Sequence, residues 1–270
     1  MNNTSKNIFV YAAWEELRVP TLLGCLNSQL VRGKEIFAFE FDSEWLESKS
    51  LQMLDPDLQF YAGRQYRHSG NNVFGFFLDS SPDRWGRQLM RRRETINARH
   101  ENRPVRQLTE SDYLLGVHDF TRMGALRFKV DQSSDFLSYD FALPAPPWTS
   151  LRELEIACRH YEEESPLDSE HEKWLNMLLA PGSSLGGARP KANVLDNDGN
   201  LWIAKFPSNA DNNNAGAWEM VGSGTYGNRR SGRRDNSGLY RDSGERSFEY
   251  CRGRDPGGIR SGKGRIVPKQ

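Results

Sequence analysis

A glycine-rich loop that ends in a lysine is the stretch of this sequence best suited to chemistry. It runs over residues 183–191 and reads Ser-Ser-Leu-Gly-Gly-Ala-Arg-Pro-Lys. Because Gly186 and Gly187 lack side chains, the backbone there can approach an anion closely and present N–H groups to it. Ser183 can donate a hydroxyl hydrogen bond, and Lys191 adds a positive charge. The loop therefore predicts a phosphate site, with a glycine turn that only joins a helix to a hairpin as the alternative.

A hairpin is predicted directly after the loop. Residues 191–195 and 201–206 have the composition of strands, and the Asp-Asn-Asp-Gly sequence at 196–199 favours a turn between them. Period two places Lys205 on an otherwise apolar face of the return strand. A lysine beside a glycine-rich loop is typical of kinase-type sites, where it binds the α- and β-phosphates of ATP. A carboxylate positions such a lysine, and Glu219 at the start of the next predicted helix is the candidate.

Other kinds of site have less support in the sequence. The loop is neither a Walker A motif nor Gly-x-Gly-x-x-Gly. The three cysteines, Cys25, Cys158 and Cys251, are far apart and lack metal-binding spacing, so we interpret them as reduced structural thiols. The five histidines are isolated from one another. We therefore predict no catalytic set and no metal site from the residue pattern.

Strands are predicted in the residues before the loop. Residues 8–11 are apolar, and three phenylalanines in residues 34–41 fall on one face at period two. A turn-prone Arg-Gly pair at 32–33 precedes the second of these segments, which favours an antiparallel meander. Residues 126–130 alternate apolar and charged side chains, which predicts a strand with Val130 on its buried face.

A helix is predicted after residue 81. Ser81 can serve as its N-cap and Pro82 as its first residue, where a missing N–H costs nothing. Trp85, Leu89 and Met90 then fall on one side, and five arginines spread over the rest. The arginines could contact phosphates, but a solvated helix end is the simpler interpretation.

Further helices flank a proline-rich connector. The Thr-Glu-Ser-Asp sequence at 109–112 resembles a capping arrangement. The connector at 143–147 is stiff and is the best candidate for a domain boundary. Amphipathic spacing over 151–161 and 169–179 predicts two helices beyond it, the second with Trp174, Met177 and Leu178 on its buried side.

Taken in order, these motifs resemble the HipA family of serine/threonine protein kinases, the toxins of bacterial type II toxin–antitoxin modules. The resemblance covers roughly residues 6–220. The segments that carry it lie at residues 76–82, 112–116, 124–126, 184–191 and 201–207.

The resemblance implies an α+β fold in two parts. Residues 1–143 would form a small mixed α/β N-terminal subdomain, and residues 148–220 would begin a kinase-like domain related to lipid kinases. ATP and Mg²⁺ are the implied ligands. Ser184 matches the serine that is autophosphorylated in the family, and Glu219 would match the partner of the nucleotide-binding lysine. The implied nucleotide-binding residues are Ser183, Gly186, Gly187, Ala188, Lys191 and Lys205.

The resemblance also implies partners. A HipB-like helix-turn-helix antitoxin would bind the protein, and DNA would be reached only through that antitoxin. A protein such as an aminoacyl-tRNA synthetase would be the substrate of an intact homologue. No apolar run approaches the ~20 residues of a membrane span, and the N-terminus lacks the apolar core of a signal peptide. We therefore expect a cytoplasmic protein without membrane contacts.

The composition changes sharply after residue 220. Residues 221–270 carry 12 Lys and Arg against 5 Asp and Glu, although the formal net charge of the chain is zero. Such a Gly-, Arg- and Ser-rich segment cannot bury enough apolar surface to offset the entropy of ordering, so an irregular tail is predicted. One hypothesis is a frameshift near codon 221 that removes the catalytic and Mg²⁺-binding aspartates. A native Arg/Gly-rich tail that binds nucleic acid is the alternative.

The leading interpretation is thus a HipA-like toxin kinase, present as an N-terminal fragment that lacks catalysis. A different class of function, a non-catalytic module that binds an antitoxin or a partner kinase, stays open. Nucleotide binding distinguishes these two functions, because a non-catalytic binding module does not need a nucleotide.

Overall fold

The structure is a computed structural model of the 270-residue chain. It describes residues 5–14, 17–48, 54–67, 73–137, 145–162, 169–182, 187–197, 199, 201–208, 238–241 and 247–252.

Strands and helices are mixed along the chain. The strands are β1 (Ser5–Ala12), β2 (Thr21–Val31), β3 (Lys34–Phe41), β4 (Gln65–Tyr66), β5 (Leu126–Lys129), β6 (Lys191–Leu195), β7 (Leu201–Lys205), β8 (Gly238–Arg241) and β9 (Ser247–Arg252). The helices are α1 (Ser43–Glu47), α2 (Gly75–Asp79), α3 (Arg84–His100), α4 (Glu110–Leu115), α5 (Leu151–Glu162) and α6 (Ser169–Gly182), with short 3₁₀ turns at Asp119–Thr121 and Trp148–Ser150. The predicted α+β class is confirmed. None of the described helices combines the length and the apolar composition that a membrane span requires.

The chain folds into two compact units. The first unit contains Met1–Pro82 and Gln107–Asp140, and the second contains Asp83–Arg106 and Phe141–Gln270. Each unit has its own antiparallel sheet, with strand order β4-β3-β2-β1-β5 in the first and β6-β7-β9-β8 in the second. Helix α3 therefore belongs to the second unit, although chain segments on both sides of it belong to the first.

The predicted antiparallel meander of the first unit is confirmed and has one more strand than expected. Arg32 and Gly33 connect β2 to β3 with φ angles of 50° and 78°, the backbone that two-residue hairpin turns require. β2 is the strand that the sequence does not predict, because polar residues interrupt its apolar pattern. β2 is nonetheless central, since it pairs with both β1 and β3.

Phenylalanines fill the core of the first unit. Phe37, Phe39 and Phe41 are buried on one face of β3, as the period-two pattern predicts. The prediction for Val130 is wrong, because β5 ends at Lys129 and Val130 is 54% exposed. A turn begins at Asp131, whose carboxylate accepts hydrogen bonds from the N–H and hydroxyl of Ser133, and this turn leads the chain out of the sheet.

The predicted cap of α3 is also wrong. Ser81 donates its hydroxyl to the carbonyl of Phe77 at 2.9 Å and is buried. Asp83 is the N-cap instead, and its carboxylate accepts from the N–H of Arg84 at 2.8 Å. A carboxylate caps a helix about as well as a serine hydroxyl, and the Ser81 hydroxyl has the Phe77 carbonyl as its partner. Pro82 consequently precedes the cap rather than starting the helix.

Three helices and a hairpin form the core of the second unit. The predicted inner faces of α3 and α5 are confirmed: Trp85, Leu89 and Met90 are buried on α3, and Leu151, Leu154, Ala157 and Cys158 are buried on α5. On α6 the buried residues are Leu175, Leu178 and Leu179. Trp174 and Met177 are only partly buried, so that prediction is right for Leu178 alone. The Trp174 ring stacks on His160 with 5.4 Å between centroids.

The predicted hairpin is present as β6 and β7, and the C-terminal segment extends its sheet. β9 pairs with β7, and β8 pairs with β9. The prediction of a wholly irregular tail is therefore wrong for the residues described there. Unpaired backbone groups along the edge of β7 favour a further strand, and the Ser-Phe-Glu-Tyr-Cys-Arg sequence of β9 has the alternating pattern to supply one.

Candidate phosphate-binding site

The hairpin presents two lysines at paired positions. Lys191 and Lys205 are directly opposite each other in the register of β6 and β7. The neighbouring pair, Ala192 and Ala204, points to the core of the second unit. Because side chains alternate along a strand, both lysines lie on the opposite face, with Asn193 two residues further along.

That face of the hairpin is largely shielded from water. Lys191 is 9% exposed and Asn193 is fully buried, while Lys205 is half-buried. Two like charges directly opposite each other on paired strands disfavour the pairing, and low exposure strengthens the repulsion.

Gly187 brings the loop onto Lys191. A Cβ atom built on Gly187 would lie 2.8 Å from the ammonium nitrogen of Lys191. The φ angle of Gly187 is +80°, a conformation that residues with side chains rarely adopt. The positive φ angle therefore favours glycine here, and the missing side chain lets the Lys191 ammonium lie against the backbone.

The first turn of α3 holds the loop in place. The N–H of Gly187 donates to the Asp83 carboxylate at 2.7 Å, and the Gly187 carbonyl accepts from the N–H of Trp85 at 2.9 Å. The indole Nε1 of Trp85 donates to the carbonyl of Lys191, also at 2.9 Å. These three hydrogen bonds connect one helix terminus to both ends of the Gly187–Lys191 segment. We call this set the α3 clamp.

The buried side of the clamp is tightly packed. A Cβ on Gly182, the last residue of α6, would lie 2.8 Å from Leu89 Cδ1 and 3.1 Å from Trp85 Nε1. Trp85 also makes an edge-to-face contact with Tyr161, with 5.3 Å between ring centroids. The indole is therefore fixed in the orientation that donates to Lys191.

Ionisable groups in the helical core beside the clamp are unsuited to proton transfer or nucleophilic attack at neutral pH. Burial raises the pKa of Tyr161 to about 12, against the opposing effect of Arg92 and Arg91. Burial also raises the pKa of the Cys158 thiol well above its ordinary value, and Glu162 and Glu155 add to the effect. Both groups therefore stay protonated and serve as packing, since the thiolate is the reactive form of cysteine.

The predicted site residues have different outcomes. Gly187, Lys191 and Lys205 lie together as described above, and Ala188 is exposed next to Gly187. Ser183, Ser184, Gly186 and Glu219 lie outside the described residues. Asp83 and Trp85 were not predicted as site residues. The Pro82-Asp83 pair before a helix was a usable signal for an N-cap at Asp83, but nothing in the sequence pointed from there to Gly187.

Mg²⁺ is the second ligand that the resemblance implies. Within the described part of the chain, no three His, Cys, Asp or Glu side chains are grouped so that they could hold a metal ion. The described residues that could contact the phosphate groups of a nucleotide are the two lysines and the backbone of Gly187, and these residues do not by themselves form a metal site.

Replacing Gly187 with alanine is expected to lower the free energy of unfolding by about 2 kcal/mol and to weaken phosphate binding. A left-handed backbone costs an L-residue about 1–2 kcal/mol, and the new methyl group must also displace the Lys191 ammonium. Chemical denaturation measures the loss. Gly199→Ala is the matched control, because Gly199 has φ +78° with no atom within 4 Å of the added Cβ. Equal losses for the two variants would contradict the crowding at Lys191.

Comparison with known proteins identifies one domain. The family model of the HipA N-terminal domain matches residues 23–111. No curated protein and no solved structure gave a significant match. The matched range covers β2 to the start of α4 and includes the whole of α3, with the clamp residues Asp83 and Trp85. The chain therefore carries a HipA N-terminal domain over these residues.

Proposed function

We propose that the loop and the β6–β7 hairpin bind the phosphates of ATP, as the nucleotide-binding part of a HipA-like serine/threonine kinase. The observation that carries the proposal is the arrangement of Lys191 and Lys205. They are paired across the hairpin on one shielded face, and the Lys191 ammonium lies against the backbone of Gly187.

Each of these residues would have a distinct role toward the triphosphate. Lys205 and Lys191 would act as positive charges on the phosphate oxygens. Gly187 would allow the phosphates to approach the backbone. Bound ATP would supply the phosphoryl group that a kinase transfers to a hydroxyl.

Two further roles in the proposal rest on the resemblance to the HipA kinases. Ser184 would be the autophosphorylated residue, and Glu219 would position Lys205. Phosphorylation adds about −2 charge. On a loop that binds the phosphates of ATP, a charge of that sign would oppose nucleotide binding. The corresponding partners would be a HipB-like antitoxin, DNA bound through it, and a protein substrate such as an aminoacyl-tRNA synthetase.

Lys205→Ala is expected to weaken Mg-ATP binding at least tenfold, since it removes a charge worth ≥1.4 kcal/mol on the phosphates. Isothermal titration calorimetry and the Mg-ATP-dependent shift of the melting temperature measure the effect. The matched control is Lys173→Ala, because Lys173 is an exposed lysine on α6 in the same unit. Wild-type affinity in Lys205→Ala would contradict the proposal.

The alternative of a non-catalytic binding module makes the opposite prediction. A chain that binds a HipB-like antitoxin but gives no Mg-ATP shift would favour the module. Wild-type protein that melts as a folded protein but binds neither the antitoxin nor Mg-ATP would contradict both functions.

A further inference from the structure

We propose that Asp83 is an internal anion that occupies the phosphate loop and must be displaced before a nucleotide binds. The inference rests on the proposed function, since it concerns how that same loop is regulated. It assigns to a residue of α3 a direct effect on the affinity of the loop for phosphate.

Asp83 already accepts the hydrogen bond that a phosphate in the loop would need. The N–H of Gly187 is the backbone donor that the loop would direct at a phosphate oxygen, and it donates to an oxygen of Asp83 at 2.7 Å. A carboxylate oxygen and a phosphate oxygen are both anionic acceptors of such N–H groups. One N–H cannot make a full-strength bond to both, so a phosphate that uses the Gly187 donor replaces Asp83.

The charge of Asp83 also acts on the site. The carboxylate is bound to the same residue whose backbone lies against the Lys191 ammonium. The negative charge of Asp83 therefore offsets part of the positive charge that would attract a polyphosphate. A negative charge next to a cationic site weakens the attraction of that site for a polyanion, so removal of the Asp83 charge is expected to change ligand affinity.

Asp83 can leave the loop without unfolding the helix. Its side chain is exposed, so water can reach the oxygen that leaves Gly187. Its other oxygen accepts from the N–H of Arg84 and keeps the N-terminus of α3 capped. The Trp85 N–H bond to the Gly187 carbonyl also remains, so the loop stays attached to α3 while its N–H turns to the ligand.

The test measures the affinity of the full chain for inorganic pyrophosphate and for Mg-ATP by titration calorimetry at fixed pH and ionic strength. Asp83→Ser keeps an N-cap but is too short to reach Gly187. Asp83→Asn keeps the size of the side chain and removes its charge, and it covers the case in which the serine variant fails to fold. Glu153→Gln removes one exposed charge from α5 in the same unit and is the control for net charge.

We expect both Asp83 variants to bind pyrophosphate and Mg-ATP about fivefold to tenfold more tightly than wild type, with Glu153→Gln within about twofold. Binding by the variants where wild type shows none also supports the proposal. Unchanged or weaker binding in both variants, with wild-type binding intact, overturns it and makes Asp83 a residue that only positions the loop. If neither wild type nor any variant binds either ligand, the proposed function fails and this inference fails with it.

Discussion

Replacing Trp85 with alanine is expected to lower the free energy of unfolding by about 3–5 kcal/mol. The side chain is 1% exposed and belongs to the core formed by α3, α5, α6 and the hairpin. Its removal leaves a cavity against Tyr161 and Leu89 that a helix end cannot collapse to fill. It also deprives the Lys191 carbonyl of its indole donor, so the loop is expected to lose its phosphate-binding geometry together with stability.

Urea denaturation of two variants separates the contribution of indole packing to stability from that of the indole hydrogen bond. Trp85→Phe keeps most of the ring and removes the hydrogen bond, and we expect it to cost about 1–3 kcal/mol, the penalty of a buried carbonyl left without a donor. Trp174→Ala is the matched control, because Trp174 is a tryptophan of the same unit that is only partly buried. A loss below about 1.5 kcal/mol for Trp85→Ala, or a loss no larger than that of Trp174→Ala, would show that the indole does not anchor this core.

Gly24→Ala is expected to cost about 3 kcal/mol in the first unit, at the upper end for overpacked sites. A Cβ on Gly24 would overlap the carbonyl oxygen of Glu40 and would lie 2.8 Å from Phe39 Cζ and 3.0 Å from Phe41 Cα. Two of the three nearest atoms are backbone, which cannot rotate away as a side chain can. β2 cannot shift either, because it is paired with β1 on one side and with β3 on the other.

The same denaturation experiment tests this prediction. Gly75→Ala is the matched control, since the nearest atom to its added Cβ is a side-chain oxygen of Asp55 at 3.3 Å. We expect the control to change stability by no more than about 1 kcal/mol, because alanine is also the better helix former. A Gly24→Ala variant as stable as Gly75→Ala would mean that the sheet relaxes around residue 24. The prediction of a rigid central strand would then be wrong.

Much of the local structure could be predicted from the sequence. The strands of the β6–β7 hairpin were expected to within a residue, since alternating side chains flank an unambiguous turn. The buried phenylalanines of β3, the capping box at Thr109 and the inner face of α5 were predicted for the same reason. In each case a short sequence pattern determines the structure, because the periodicity of apolar residues and the choice of turn residues involve only residues that are close together in the chain.

Other features could not be predicted because distant residues determine them. β2 has a weak apolar pattern of its own and is a strand because β1 and β3 supply partners on both sides. The cap of α3 falls on Asp83 rather than Ser81 because the Ser81 hydroxyl bonds to Phe77. β9 extends a sheet whose edge lies about 45 residues earlier in the chain, and backbone pairing of that kind has no local signal.

The sequence by itself determined the parts of the phosphate site that are close together in the chain, namely the glycines of the loop and the two lysines of the hairpin. Their order and spacing were enough to predict a loop, a hairpin and the position of Lys205 on one face of the return strand. Only the tertiary structure decided what holds that loop. Asp83 lies 104 residues before Gly187, and Trp85 lies 106 residues before Lys191. Contacts at that separation depend on the packing of α3 against α6 and the hairpin, which no spacing within the loop encodes.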